Sequence, residues 1–531
     1  EGGLRAAGPQ AAGPQSAGPQ AEPGGLTDGQ RRMWFVQMAD PTGAILNICL
    51  SYRITGPLDV ARLHDAVKAV AARHPILRTT YHPDDTGEPR PRVHDDLTPA
   101  WATHDLSELS DHARQLRLEV LAQRTFGAPF DLAADSPLRL TVVRTASDEH
   151  ILLLAAHHIA WDDGSWRPFF TDLTRAYLGE DLGEPVDAPA PALPVTPADL
   201  DYWRTVMADP PEPLELPGPN GSAVPTNWRS RRTTLRLANE TVAAVGELAK
   251  QTGATPYMVL LAAFGVLIRR YTHAEDFLVA APVLNRTADL DHVIGYYGNT
   301  VALRLRPQRR QSFREVLAHT RDTAAGAFAH QHVNLDRVVA ELNPDRTHGV
   351  ERMTRVTFGA RGADTFGFNP PGITCARAEL RGQYTQLPLG FMVEFDADGA
   401  GAVVEAEYLI EVIEPALARQ LLEHYAVLLT DAVAHPDRPI SDLKLMSPAE
   451  AEWLHRVSCG ERFDTPAITL AALVENQVER TPDAVAVVYE GRQYTYREIN
   501  ETANRVARRL IADGIGTEDR VAVLLDRSPE L

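Results

Sequence analysis

Residues 151–156 run without a polar side chain into His157-His158-Ile159-Ala160-Trp161-Asp162 and then Asp163-Gly164-Ser165-Trp166. A short apolar run bounded by turn residues predicts a buried strand. Just beyond it, Phe169, Phe170, Leu173 and Tyr177 recur at helical spacing, with Pro168 in the first turn and Ser165 or Asp163 as the cap, which predicts a helix. The backbone must turn from strand to helix across a double histidine. At such a junction the first N–H groups of the helix lack partners and favour negative charge.

These residue types suit acyl transfer to a nucleophile. Making an amide from a thioester needs an amine that has lost its proton, a place for the developing oxyanion and a leaving thiolate. Histidine, with an unperturbed pKa of about 6.5, can accept or share a proton near neutrality. His158 is the candidate for that role, His157 shapes the turn, and Asp162 fixes the loop. A His-His pair after a strand, taken alone, is more often a hydrogen-bonded core or turn feature than a catalyst, and agreement with distant segments is what reverses this.

Several segments agree. Leu26-Thr27-Asp28-Gly29-Gln30-Arg31-Arg32-Met33-Trp34, Arg73-His74-Pro75-Ile76-Leu77-Arg78-Thr79, the His157–Ser165 stretch, Ala198-Asp199 with Trp203, Ile294-Gly295-Tyr296-Tyr297-Gly298-Asn299-Thr300 and His330-Gln331 follow one another in order. Together they resemble the motif series of a condensation domain of a nonribosomal peptide synthetase, whose signature reads His-His-x-x-x-Asp-Gly-x-Ser. His332 stands where the last motif has aspartate. The resemblance implies that His158 is tied to amide formation, with His157 and Asp162 completing the catalytic set. It implies that Asp162 pairs with Arg286 of Pro282-Val283-Leu284-Asn285-Arg286, and that Asp163, Gly164, Ser165 and Asn299 support the site. The family glycine after the aspartate is Asp163 here, with Gly164 displaced by one. If that position requires a positive φ, aspartate tolerates it less easily than glycine. The same Asp-Asp variant resembles noncatalytic relatives that recruit tailoring enzymes, although those also lose the second histidine; Ser165-Trp166 also resembles epimerase relatives.

The resemblance implies an α/β fold of two chloramphenicol-acetyltransferase-like lobes forming a V-shaped pseudo-dimer, with a cleft running past His158. Helical spacing of Val60, Leu63, Val67 and Val70, extended residues 77–81, helices over 241–252 and 256–271 and a strand over 277–283 place helices and strands in both halves. The expected organisation is a disordered Ala/Gly/Pro/Gln linker over 1–25, lobes over 26–190 and 191–450 joined by the Pro-rich run 184–197, a linker over 451–462, and a further segment over 463–531. In that last segment 469–479 predicts a helix and 484–489 a strand. Tyr494-Thr495-Tyr496-Arg497-Glu498-Ile499-Asn500 resembles the first core motif of an adenylation domain, and 520–531 its following strand. The start at Glu1 suggests a piece of a longer polypeptide, and a truncated adenylation segment implies no ATP-dependent activation.

The net charge of −19, with a pI near 5.4, argues against a nucleic-acid partner. No apolar run reaches the ~18 residues of a membrane span and no signal segment opens the chain, so a cytoplasmic location is expected. Cys49, Cys375 and Cys459 lack metal or redox spacing and read as reduced thiols. No metal and no bound cofactor are expected. By resemblance the acyl groups arrive on phosphopantetheine, carried by an upstream donor and a downstream acceptor carrier domain, and the rest of an adenylation domain is a further partner.

Overall fold

The computed structural model describes residues 26–40, 42–186, 195–223, 225–334, 354–363, 367–461 and 467–531. The expected linker over 1–25 and most of the Pro-rich join lie outside the described residues. The chain divides into two units, 1–451 and 452–531.

The first unit is built on two sheets. Strands β1 (Asn47–Thr55), β4 (Ala100–Asp105), β5 (Leu138–Ala146), β6 (Glu149–His157) and β11 (Thr374–Arg377) form one, in the order β11-β1-β6-β5-β4, while β2 (Thr79–Pro83) and β3 (Pro89–Val93) form a separate hairpin. Helices α1 (Asp28–Ala39), α2 (Val60–Arg73), α3 (Asp111–Gly127) and α4 (Trp166–Leu178) cover both faces of this sheet. Alternate β6 residues Leu152, Leu154 and Ala156 pack into one core with α2 and α4; Ile151, Leu153 and Ala155 pack into the other with α1 and α3. A strand buried on both faces needs no polar alternation, which is why 151–156 is uniformly apolar.

The second sheet has the order β7-β13-β12-β10-β8-β9, from β7 (Ser230–Leu237), β8 (Phe277–Val283), β9 (Asn299–Leu305), β10 (Val356–Arg361), β12 (Leu389–Phe395) and β13 (Ala402–Leu409). Helix α5 (Pro197–Val206) precedes it, and α6 (Asn239–Thr252), α7 (Pro256–Thr272), α8 (Phe313–Ala329) and α9 (Pro415–Ala434) pack on it. Along β13, Val404, Ala406 and Tyr408 face this core while Glu405 and Glu407 face away, so here one face is apolar and the other polar.

The halves exchange chain. Strand β11 comes from the second half of the sequence yet pairs with β1, Tyr52 opposite Arg377. Ile294 and Tyr296, also from the second half, enter the two cores of the first sheet. A two-lobe reading by sequence order does not anticipate either crossing.

Most expected elements form, with three differences. Leu77 lies in a 3₁₀ turn (Pro75–Arg78), so the extended segment starts only at Thr79. Ser165 precedes α4 but makes no side-chain cap, because its hydroxyl is used elsewhere. Residues 520–531 form no strand: Val523 and Leu524 are exposed, and no described strand lies beside them to pair with. The second unit otherwise holds α11 (Leu470–Arg480), the hairpin β14 (Val485–Tyr489) and β15 (Arg492–Thr495), and α12 (Tyr496–Ala512); α10 (Pro448–Ser458) spans the division between units. Among the described residues no single helix is long and apolar enough to cross a membrane.

Candidate active site

His157 ends β6 and His158 opens the 3₁₀ turn that follows. His157 is fully buried. Its Nδ1 accepts from the Ile159 N–H at 3.1 Å and its Nε2–H donates to Gln37 Oε1 at 3.1 Å, so both ring nitrogens are occupied and the neutral tautomer is fixed. Burial, assisted by the neighbouring His158, pulls its pKa down to about 3. Neither ring nitrogen is left free for a substrate.

His158 differs in each respect. The ring is partly exposed and its Nδ1–H donates to the Trp161 carbonyl at 2.7 Å, which assigns the lone pair to Nε2. Burial lowers its pKa below the ordinary value, with the Trp161 carbonyl opposing, so the ring is neutral at pH 7. Its backbone N–H donates to Leu46 O at 3.0 Å, and Tyr296 stacks edge-to-face against the ring at 5.0 Å.

Tyr296 explains two of the distant motifs. A Cβ on Gly29 would stand 2.6 Å from Tyr296 Cε1, so the opening motif carries glycine where the tyrosine must pass. Next to it, Gln30 donates to Ile159 O at 3.2 Å. Residues 26–34, 157–166 and 294–300 thus meet around one imidazole.

The expected Asp162–Arg286 pair is formed. Arg286 Nη2 lies 2.6 Å from Asp162 Oδ1, Nε is 3.1 Å from both carboxylate oxygens, and the side chains are 6% and 3% exposed. The remaining guanidinium hydrogens go to Leu290 O, Val293 O, Ser165 Oγ and Gly295 O. Asp162 also accepts from the N–H groups of Tyr297 (2.9 Å) and Gly298 (3.2 Å). Ser165 Oγ accepts from Gly295 N–H and donates to Gly295 O. A buried pair is tolerated only when its remaining lone pairs and protons are used, as they are here. Asn285 has φ 49°, a left-handed conformation that asparagine tolerates, directly before Arg286. Asn299 donates to Gln331 O and Val333 O, both at 2.7 Å, fixing the start of β9.

Asp163 is not among the residues with positive φ, so it replaces the family glycine without backbone strain. Space, not torsion, is what matters in this turn. A Cβ on Gly164 would lie 2.5 Å from Arg286 Nε and 2.6 Å from its Cδ, so the displaced glycine is the residue that lets the arginine reach Asp162. Asp163 itself is half-exposed and 3.8 Å from Arg361.

The two weaker motifs also meet. His330 Nδ1 (2.7 Å) and His332 Nε2 (3.1 Å) both contact Asp199, and Trp203 donates to His330 O. Arg73 and His74 of the second motif bind Asp172 of α4 at 3.0 and 2.9 Å, a partner the sequence did not mark. The three cysteines are free thiols, and burial pushes Cys49 up to about 12, leaving it no nucleophilic role.

The family model described as Condensation domain matches residues 24–455. The chain belongs to the Condensation domain family. Behind the condensation domain, the family model described as AMP-binding enzyme matches residues 474–531. Phosphinothricin tripeptide synthetase PhsC of Streptomyces viridochromogenes is 31% identical over 523 residues, 94% of this chain and 48% of that protein. The chain spans between 7% and 48% of the length of the first curated relatives it matches. Among solved structures, a four-domain nonribosomal peptide synthetase bound to AMP and glycine superposes with TM-score 0.72 at 19% identity, over 92% of this chain and 39% of the other. The X-domain from teicoplanin biosynthesis in complex with OxyB gives 0.68 at 24% identity, over 82% and 100%. The fold is the chloramphenicol-acetyltransferase-like α/β fold of condensation domains.

Proposed function

We propose that this condensation domain joins a donor peptidyl or aminoacyl thioester to the amine of an acceptor aminoacyl thioester, each tethered by phosphopantetheine to a separate carrier domain. The observation that carries the reading is the state of His158: a neutral, partly exposed imidazole with Nδ1 tied to Trp161 O and the Nε2 lone pair presented. Nε2 accepts a hydrogen bond from the attacking amine and holds its orientation. The C–N bond forms, the C–S bond breaks, and the proton lost by the amine ends on the departing thiolate. A base of lowered pKa is weak, so bringing the two tethered reactants together supplies most of the advantage, which can reach ~7–11 kcal/mol.

Two cavities support arrival from separate directions. One of about 270 Å³ is lined by Asn47, Asp163 and Trp166; another of about 510 Å³ is lined by Arg32, Ile45 and Trp228. Ile45 of one cavity and Asn47 of the other flank Leu46, whose carbonyl accepts from the His158 backbone N–H. In this reading His158 acts on the reactants, His157 and Asp162 with Arg286, Asp163, Gly164, Ser165 and Asn299 position it, and no cofactor is resident. The exposed Leu470, Val488 and Leu524 of the second unit are the surface that the rest of an adenylation domain would cover. Loading both carriers and detecting the extended peptide by mass spectrometry tests the proposal, with His158→Ala as the comparison. Equal product from the variant would remove His158 from the mechanism.

A second reading is favoured by one feature, the half-exposed Asp163 in place of the family glycine: a platform that recruits a tailoring enzyme, as the X-domain is seen with OxyB. Stable binding of an oxygenase together with no turnover on loaded carriers would establish it.

A further inference from the structure

The polar face of the second sheet and the edge of the first enclose a cavity into which four arginines project from four segments: Arg232 of β7, Arg361 of β10, Arg377 of β11, and Arg381. Arg232 and Arg361 are engaged by carboxylates. Arg232 lies 2.8 Å from Glu407 and 3.6 Å from Glu405, and Arg361 lies 2.6 Å from Glu394. Arg381 is different. Among the described residues it donates no hydrogen bond, and its ion contact is Glu405 Oε2 at 3.8 Å, on a carboxylate whose Oε1 lies 3.6 Å from Arg232.

The position of Arg381 is built, not incidental. Ser51 of β1 donates to Ala378 O (3.0 Å) and Leu380 O (2.7 Å), and Ala378 N–H returns to Ser51 O at 2.9 Å. A Cβ on Gly382 would stand 3.1 Å from Cys49 Sγ, so the chain on the other side of Arg381 is packed against β1 as well. The side chain is 30% exposed and lines this cavity and two adjoining ones of about 480 and 730 Å³. A guanidinium carries five N–H donors in a rigid fork and keeps its charge. Holding one partly buried beside three others, with its donors unplaced, is unfavourable until an oxyanion completes the set. Burial opposes its charged state, Glu405 supports it, and the three neighbouring arginines oppose it.

We propose that Arg381 binds the side-chain carboxylate of a substrate, making this condensation domain selective for an acidic amino acid of the aspartyl or glutamyl class. This deepens the function proposed above and rests on it. The cavity is walled by Asp163 and Trp166, directly after the His157–Asp162 turn, and by Asn47, which pairs in register with His157. The phosphate of the pantetheine arm is an oxyanion too, but it sits at the far end of a long chain from the thioester.

The test is calorimetric binding to the full chain of glutamyl- and glutaminyl-aminopantetheine, in which nitrogen replaces the thioester sulfur, each prepared with and without the phosphate. The expected result is glutamyl binding about tenfold tighter than glutaminyl, with or without the phosphate. Arg381→Gln brings that ratio near one, and Arg381→Lys, which keeps the charge but not the fork, retains part of it; melting curves verify that both variants fold. Equal affinity of the two analogues for the parent, binding of neither, or a ratio unchanged in Arg381→Gln overturns the proposal. So does a loss in Arg381→Gln that follows the phosphate and ignores the side chain, which would assign Arg381 to the arm. Turnover on loaded carriers is scored separately. Glutamyl preference without turnover overturns the condensation reading alone, whereas turnover without preference overturns the Arg381 assignment alone.

Discussion

Gly164→Ala separates a steric reading of the catalytic turn from a torsional one by the sign of its effect. Gly164 has no positive φ, and at such a position alanine ordinarily stabilises a protein by about 0.4–1 kcal/mol, through the smaller conformational freedom of the unfolded chain. Here the new methyl would stand 2.5 Å from Arg286 Nε, 2.6 Å from Cδ and 3.0 Å from Cζ. The guanidinium cannot yield at its tip alone, since its hydrogens are committed to Asp162, Ser165, Leu290, Val293 and Gly295. Displacing it strands the buried Asp162 carboxylate, and breaking one partner of such a pair costs about 3–5 kcal/mol. An unfolding entropy of ~2.1 cal/mol/K per residue over the unit ending at Ala451 gives about 0.9 kcal/mol/K, so the melting temperature falls by about 3–6 °C. Tryptophan fluorescence reads this unit well, because Trp34, Trp101, Trp161, Trp166, Trp203 and Trp228 lie in it and only Trp453 lies outside. Gly246→Ala is the control: it sits inside α6 with nothing within 4 Å of the added methyl, and it should stabilise by about 0.5–1 kcal/mol. A Gly164→Ala protein that melts at or above the parent temperature would refute the argument that this glycine exists to admit Arg286.

Three further outcomes follow from the same geometry. Asp162→Asn should lower stability by about the same 3–5 kcal/mol, and combining it with Gly164→Ala should cost little more than either alone, since both break one pair; additive losses in a double-mutant cycle would contradict this. His157 has a folded pKa of about 3 against an unfolded value near 6.5. The unfolded chain therefore binds a proton first, so stability from this residue is complete above about pH 6.5 and falls by about 1.4 kcal/mol per pH unit as the pH drops towards 3. Urea midpoints at pH 7.5, 6 and 5 should decline less steeply in His157→Gln, and identical slopes would show that His157 is not held neutral. Gly29→Ala, by pushing Tyr296 off the His158 ring, should lower single-turnover condensation at least tenfold while shifting the melting temperature far less than Gly164→Ala; unchanged turnover would mean that the ring needs no such support.

What the sequence made legible were the elements whose causes are local. The apolar run 151–156, the helical spacing of Val60, Leu63, Val67 and Val70 in α2 and the helices over 241–252 and 256–271 are each dictated by neighbours a few residues away, and each stands where the pattern places it. The Asp162–Arg286 pair was accessible only through resemblance, because nothing local in residues 282–286 points to a carboxylate far away in the chain. What escaped the sequence are the contacts made across the two halves. The β11 strand has four residues and no alternation that would assign it to the first sheet, and Tyr296 carries no mark of the ring it meets. The turn after Asp162 shows the limit most sharply. Sequence reasoning weighs Asp163 against glycine by φ, the property a one-dimensional pattern can express, whereas the constraint is the volume that Arg286 occupies at Gly164. The same reasoning identifies Arg381 as a place where function departs from stability: a chain selected for stability alone would give that guanidinium a carboxylate of its own, as it gives Glu407 to Arg232 and Glu394 to Arg361.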